Sequence, residues 1–127
     1  MTNPAVVGID YAMASKRKRI VLKFGTGTLT HGSGNRLNTR QIARLAGEVA
    51  GQVKAGRQCL VVSSGAVGAG MMALGMRQRP SDTATRQVCA AIGQSRLMHQ
   101  YQAQFARHKL MVAQILLTHQ DMDSRTR

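Results

Sequence analysis

Two short apolar segments of this chain each run directly into a glycine-rich turn. The first is Ile20-Val-Leu-Lys-Phe24 followed by Gly25-Thr-Gly-Thr28. The second is Cys59-Leu-Val-Val-Ser63 followed by Ser64-Gly-Ala-Val-Gly68-Ala-Gly70. Between them Ile42, Leu45, Ala46, Val49 and Val53 recur at helical spacing. A strand, a helix and a second strand read as a parallel crossover unit, because parallel neighbours need a connection long enough to return the chain to the same end of the sheet. Parallel strands bring their carboxyl ends to one edge, which is where open α/β sheets bind ligands. Glycine lets backbone N–H groups come close to an anion there. One such turn is weak. Two, with Lys23 beside the first, point to a shared site for anionic ligands, a phosphate and a carboxylate.

The rest of the chain extends the same pattern. Residues 19–24 form the first strand, and a polar Gly/Thr-rich loop runs from Gly25 to Leu37. Asn38 reads as a helix N-cap, with Gln41 three residues later as in a capping box. Gly56 ends that helix. The second strand, Cys59–Ser63, is apolar without alternation, which suits a parallel strand covered on both faces. A short helix follows Ser64–Gly70 and ends near Gly75. A long helix begins near Asp82, with Val88, Ala91, Ile92 and Ser95 along one side and Leu97, Tyr101 and Phe105 continuing at i+4 steps. Gly93 inside it costs about 1 kcal/mol relative to Ala, which implies close packing or ligand approach. Leu110–Leu117 reads as a third buried strand, and Thr118–Asp121 as the entry to another helix. The order is β-α-β-α-α-β-(α), a parallel α/β arrangement. Three strands leave exposed parallel edges, so the expectation is the N-terminal part of a larger domain. Residues 1–15 show no helical or strand period, and residues 1–18 read as a disordered N-terminal extension, with Met13 an alternative start of translation.

Charge bears on partners. Eighteen Lys and Arg stand against five Asp and Glu, a formal net charge of +13. That balance attracts nucleotides, acidic substrates, nucleic acid or membrane headgroups. The one true basic run, Lys16-Arg-Lys-Arg19, reads as a solvated entry segment or as an RNA-binding patch. Aromatic residues to stack bases are only Tyr11, Phe24, Tyr101 and Phe105, which disfavours a single-strand-binding surface. Cys59 and Cys89 lack CxxC spacing and read as reduced structural thiols, fitting a cytoplasmic setting. The four histidines, His31, His99, His108 and His119, show no metal-ligand spacing, and no metal site is expected. No apolar run is long enough for a transmembrane helix, and no secretory signal is recognisable.

Neither turn fits the common nucleotide fingerprints. GxxxxGK[ST] is absent, and Gly65-x-x-Gly68-x-Gly70 reverses the GxGxxG spacing of dinucleotide folds. Three stretches instead resemble the amino acid kinase family. They are Val21-Leu-Lys-Phe-Gly-Thr-Gly-Thr-Leu-Thr30 with Asn35-Arg-Leu-Asn38, Val62-Ser-Ser-Gly-Ala-Val-Gly-Ala-Gly70, and Ala90-Ala-Ile-Gly-Gln-Ser-Arg-Leu-Met98 with Val112-Ala-Gln-Ile-Leu-Leu-Thr118. The first two are shared loosely across that family. The third points to its branch acting on L-glutamate, which feeds proline biosynthesis. The resemblance covers about Arg19 to Arg127.

The resemblance implies a parallel-sheet sandwich, of which residues 19–127 are the N-terminal, truncated portion, and ATP-dependent phosphorylation of the L-glutamate γ-carboxylate with ATP and Mg²⁺. It assigns Lys23, Gly25 and Thr26 to the ATP phosphates, with Lys23 catalytic, and Ser64 and Gly65 to glutamate. Position 27 is often a small polar residue in relatives and is Gly here, so one side-chain hydrogen bond is missing. Taken without the resemblance, Lys23 is a solvated strand-end lysine and Ser64 a helix cap. Gln94 and Arg96 read as helix-surface or subunit contacts, and Asp121 and Asp123 as helix-start residues rather than Mg²⁺ ligands. The family's remaining glutamate-binding groups, a second lysine and the adenine pocket belong to sequence beyond Arg127. The expectation is therefore no turnover by this chain alone. Homo-oligomerisation or a complementary C-terminal chain would be its protein partners. The rival readings are a non-catalytic binding or regulatory module and a basic RNA-binding protein.

Overall fold

The computed structural model describes residues 18–31, 36–117 and 120–121. Strand β1, Arg19–Phe24, pairs in parallel with β4, Gln58–Ser63, in a continuous register from Arg19 opposite Gln58 to Phe24 opposite Ser63. The crossover contains a four-residue helix α1, Thr26–Leu29, a small antiparallel pair β2, Thr30–His31, and β3, Arg36–Leu37, and the helix α2, Thr39–Lys54. After β4 come α3, Ala66–Ala73, and α4, Thr83–Ala106. The parallel α/β architecture expected from the sequence is present. The α1 turn and the β2–β3 pair occupy the stretch that sequence alone leaves as loop. Asn38 N–H donates to the Leu29 carbonyl at 2.8 Å, tying the end of α1 to the start of α2.

The ends of α2 follow from its sequence. Asn38 caps it by accepting from the Gln41 N–H at 3.0 Å. The reciprocal half of the capping box is missing, because the Gln41 side chain instead accepts from Arg44 Nε at 3.2 Å. Gly56, at φ +79°, closes the helix. Its N–H donates to Val53 and that of Arg57 to Gln52, the paired bonds of a Schellman motif. Gly75, at φ +67°, ends α3 by the same device, through Met72 and Met71. The third instance lacks a glycine. Lys109 takes φ +60° after α4, with Lys109 N–H donating to Ala106 and Leu110 N–H to Phe105.

The core is mostly aliphatic, with three aromatic side chains, Phe24, Tyr101 and Phe105. Ile42, Leu45, Ala46 and Val49 of α2 pack with Phe24, Leu29, Leu37, Leu97, Tyr101 and Phe105, and Leu22, Cys59 and Val61 join from the sheet. Cover on both faces of β4 is not what the structure shows. Burial alternates along β1, and Val21, Leu60 and Val62 are 60%, 45% and 46% exposed. One helical layer packs on one side of the sheet, so the other side stays open among the described residues. The third strand expected over Leu110–Leu117 is likewise unformed. The segment belongs to neither sheet, and Met111, Ile115, Leu116 and Leu117 are exposed. A strand needs a ladder partner, and apolar composition without one does not make it. The expected helix after Thr118 and the readings of residues 1–17, Asn35 and Asp123 fall wholly or mostly outside the described residues.

Helices α3 and α4 meet backbone to backbone. A Cβ added at Gly70 would lie 1.8 Å from the Cys89 carbonyl oxygen, and one at Gly93 would lie 1.8 Å from the Ala66 carbonyl oxygen. Of the two explanations for Gly93, close packing is the one observed. It also corrects the expected face of α4. The buried line is Cys89, Gly93, Leu97, Tyr101 and Phe105, while Val88 is 51% exposed and Ala91 and Ser95 are exposed. The close approach of α3 at Cys89 and Gly93 sets which side of α4 is buried in its first half.

Two expectations follow. Gly93→Ala would gain about 1 kcal/mol from helix propensity alone. The contact with Ala66 reverses the sign, and chemical denaturation will show a loss of about 3 kcal/mol or more. Lys109→Gly relieves a left-handed backbone at an exposed position and will raise stability by about 1 kcal/mol in the same assay.

Candidate functional site

The ladder does not stop at Ser63. Ser64 N–H donates to the Phe24 carbonyl at 3.0 Å, which carries the parallel pairing one residue past both strands. The turn at Gly25–Thr26 is thereby held beside the turn at Ser64–Gly65. They border a cleft of about 250 Å³ lined by Thr26, Ser64, Gly65, Ala66, Val67, Gly68 and Arg79.

Each turn has its own geometry. Gly25 precedes α1 in an extended conformation, and an added Cβ there would meet nothing within 4 Å. Neither φ nor packing among the described residues requires glycine at that position, and the space in front of its backbone is open among them. The Thr30 hydroxyl donates to the Thr26 carbonyl at 2.7 Å and steadies the turn. Gly65 is different: it sits at φ +109°, buried against Leu37 and Leu29, and any side chain there would be strained. It is the N-cap of α3 and supplies no side-chain cap. The first N–H groups of α3 have no side-chain cap, and Ala66, Val67 and Gly68, which carry them, line the cleft.

Of the five residues expected at the site, Thr26, Ser64 and Gly65 line the cleft, and Gly25 adjoins it. Lys23 does not line it. It stands on the exposed side of β1 opposite Val62 and makes no hydrogen bond or ion pair among the described residues. Arg79 is the residue that sequence reasoning missed. It lies in the irregular stretch before Pro80, where no periodicity marks a direction, and the fold alone returns it to the cleft. Among the described residues no group of three or more His, Cys, Asp or Glu side chains is placed to hold a metal ion. No helix among them is long and apolar enough to cross a membrane. Cys59 and Cys89 are both free thiols.

Behind the cleft, Ser63 Oγ and Tyr101 Oη are 2.7 Å apart, and Ser63 Oγ also donates to the Ser64 carbonyl at 3.1 Å. These contacts fasten the end of β4 to α4. Burial pushes the Tyr101 phenol above its ordinary value, and the bond to Ser63 only partly opposes this. A raised tyrosine pKa stabilises the fold while the unfolded phenol stays neutral. That contribution declines once pH exceeds about 10, where the unfolded chain ionises first. Urea denaturation will therefore show stability falling above that pH, and Tyr101→Phe will reduce the steepness of the fall.

The chain is similar to known proteins over most of its length. The model of the amino acid kinase family matches residues 18–127. A glutamate 5-kinase of Moorella thermoacetica is 48% identical over 113 residues, covering 89% of this chain and 30% of that protein. One of Geobacter metallireducens is 52% identical over 116 residues, covering 91% and 31%. One of Symbiobacterium thermophilum is 42% identical over 106 residues, covering 84% and 40%. The chain thus spans less than half the length of these curated relatives.

Proposed function

The chain belongs to the amino acid kinase family, and we propose that it supplies the glutamate-side turn and the phosphate edge of an ATP:L-glutamate 5-phosphotransferase acting in proline biosynthesis in the cytoplasm. The observation that carries this reading is the Ser64–Phe24 bond, which holds two anion-suited turns side by side in a chain about half identical to glutamate 5-kinases.

The chemistry asks for what these residues offer. Glutamate's γ-carboxylate is ionised at neutral pH, so no general base is needed. A carboxylate oxygen attacks the γ-phosphorus, the bond from that phosphorus to the β–γ bridging oxygen breaks, and ADP departs, leaving L-glutamyl 5-phosphate. The protein's task is to hold two mutually repelling anions in line and to offset the charge that develops. In this reading the Ser64 hydroxyl and the Gly65 backbone hold glutamate, helped by the open N–H groups of α3. Gly25 and Thr26 hold phosphate oxygens at the open backbone of their turn, with Lys23 supplying positive charge. Arg79 adds a second cation to the cleft. Mg²⁺ would enter bound to the nucleotide's phosphates, where it neutralises their charge. On the family pattern the adenine pocket and the remaining glutamate contacts lie in the part of the relatives that this chain does not span. Catalysis would then require those parts as well.

A second reading, a binding module paired with another polypeptide or a second copy, is favoured by the exposed apolar side of the sheet at Val21, Leu60 and Val62.

Titration of the isotopically labelled chain with L-glutamate and, separately, with MgATP tests the first reading. Glutamate will shift the amide signals of Ser64–Gly68, and the nucleotide those of Lys23, Gly25 and Thr26. Ser64→Ala will weaken glutamate, and Lys23→Ala the nucleotide, each by about tenfold or more, as expected for one lost charge-assisted contact. Shifts confined to other surfaces, or variants that bind like the parent, would remove it.

A further inference from the structure

A second cleft, of about 640 Å³ and apart from the turns, lies between the β2–β3 pair and α4. Its charge is one-sided. His31 and Arg36 are register partners in the β2–β3 ladder. Arg96 and His99 sit three apart on α4, one above the other on a single helix face. All four line the same cleft, together with Thr39 and Gln100, and no carboxylate does. The described acidic side chains with known roles are spent elsewhere: Glu48 pairs with Arg44, and Asp82 caps α4.

Several of the described arginines are engaged by neighbouring side chains, whereas Arg36 and Arg96, like Arg40 and Arg79, are not. Arg19, Arg44, Arg57, Arg86 and Arg107 each hydrogen-bond a neighbouring side chain. Arg36 and Arg96 make no hydrogen bond or ion pair among the described residues. Two unpaired guanidinium groups bordering one cleft, Arg36 from β3 and Arg96 from α4, raise the positive potential inside it and favour an anion there. Each guanidinium presents paired N–H donors suited to an oxyanion, and the imidazoles, Gln100 amide and Thr39 hydroxyl can donate as well. Thr39 is the first residue of α2, so the positive end of a sixteen-residue helix borders the same space.

We propose that this cleft is a second anion site, separate from the two strand-end turns, which takes a small soluble oxyanion carrying two or more negative charges. The site is built from His31, Arg36, Arg96 and His99, and it does not depend on the kinase reading.

Pyrophosphate and citrate, each titrated into the full chain at low ionic strength, test this. Pyrophosphate will shift the Arg36 and Arg96 signals and the ring signals of His31 and His99 of the unsubstituted chain with one common Kd. The doubly substituted chain, Arg36→Gln with Arg96→Gln, will bind about tenfold more weakly or worse, whereas Lys23→Gln, at the strand-end site, will leave this Kd within about twofold. Matching behaviour with citrate would place carboxylate-bearing ligands in the class. Its absence would restrict the class to phosphates. The proposal is overturned if the histidine signals do not move up to about 10 mM pyrophosphate, a limit that corresponds to negligible affinity. It is equally overturned if Lys23→Gln abolishes binding while the arginine variant retains it.

Discussion

The hydrogen bond from Ser64 N–H to the Phe24 carbonyl is the interaction on which the rest of the candidate site depends. A parallel ladder carries its strands to the same edge, but it does not by itself align the turns that follow. Here the register runs unbroken from Arg19–Gln58 to Phe24–Ser63, and this bond adds one more rung. The consequence is chemical. Two segments separated by nearly forty residues present open backbone to one small cleft, and neither presents a carboxylate there. Anions that would repel one another in water could share that cleft, provided the polypeptide supplies donors from both sides.

The rung is held by packing. Ser63 is fastened to Tyr101 on α4, and α4 is set by its backbone contact with α3 at Gly70 and Gly93. Because Gly65 is the N-cap of α3, the glycine contact also fixes the position of the uncapped first turn of α3. Glycines therefore act at two levels. Gly70 and Gly93 permit the helix contact, and Gly65 makes the left-handed turn that feeds α3 from β4. Leu29 and Leu37, buried against Gly65, link this arrangement back to the first turn.

Much of this was legible in the sequence because it is local. The Asn38 cap, the Gly56 and Gly75 helix ends, the two strands and the buried face of α2 each follow from residues within one turn of the position concerned. What sequence could not supply depends on contact between distant segments. The buried line of α4 runs through Cys89 and Gly93 rather than Val88 because α3 lies against it, and hydropathy carries no trace of that neighbour. Arg79 reaches the cleft from an irregular stretch. Lys109 adopts a left-handed conformation that no glycine announced. Leu110–Leu117 has strand composition but no ladder partner among the described residues, and composition alone does not make a ladder. Lys23 was placed correctly at its strand end, yet the alternation of β1 sets it on the open side of the sheet rather than in the cleft.

The most direct test of a shared site is a distance between its two ligands. With MnATP as nucleotide and L-glutamate both present on the chain, paramagnetic relaxation of the glutamate γ-methylene protons reports how near the carboxylate sits to the phosphates. The account predicts strong broadening that disappears when MgATP replaces MnATP. Glutamate and nucleotide both bound, with the γ-methylene signals unbroadened, would place them in separate sites and contradict it.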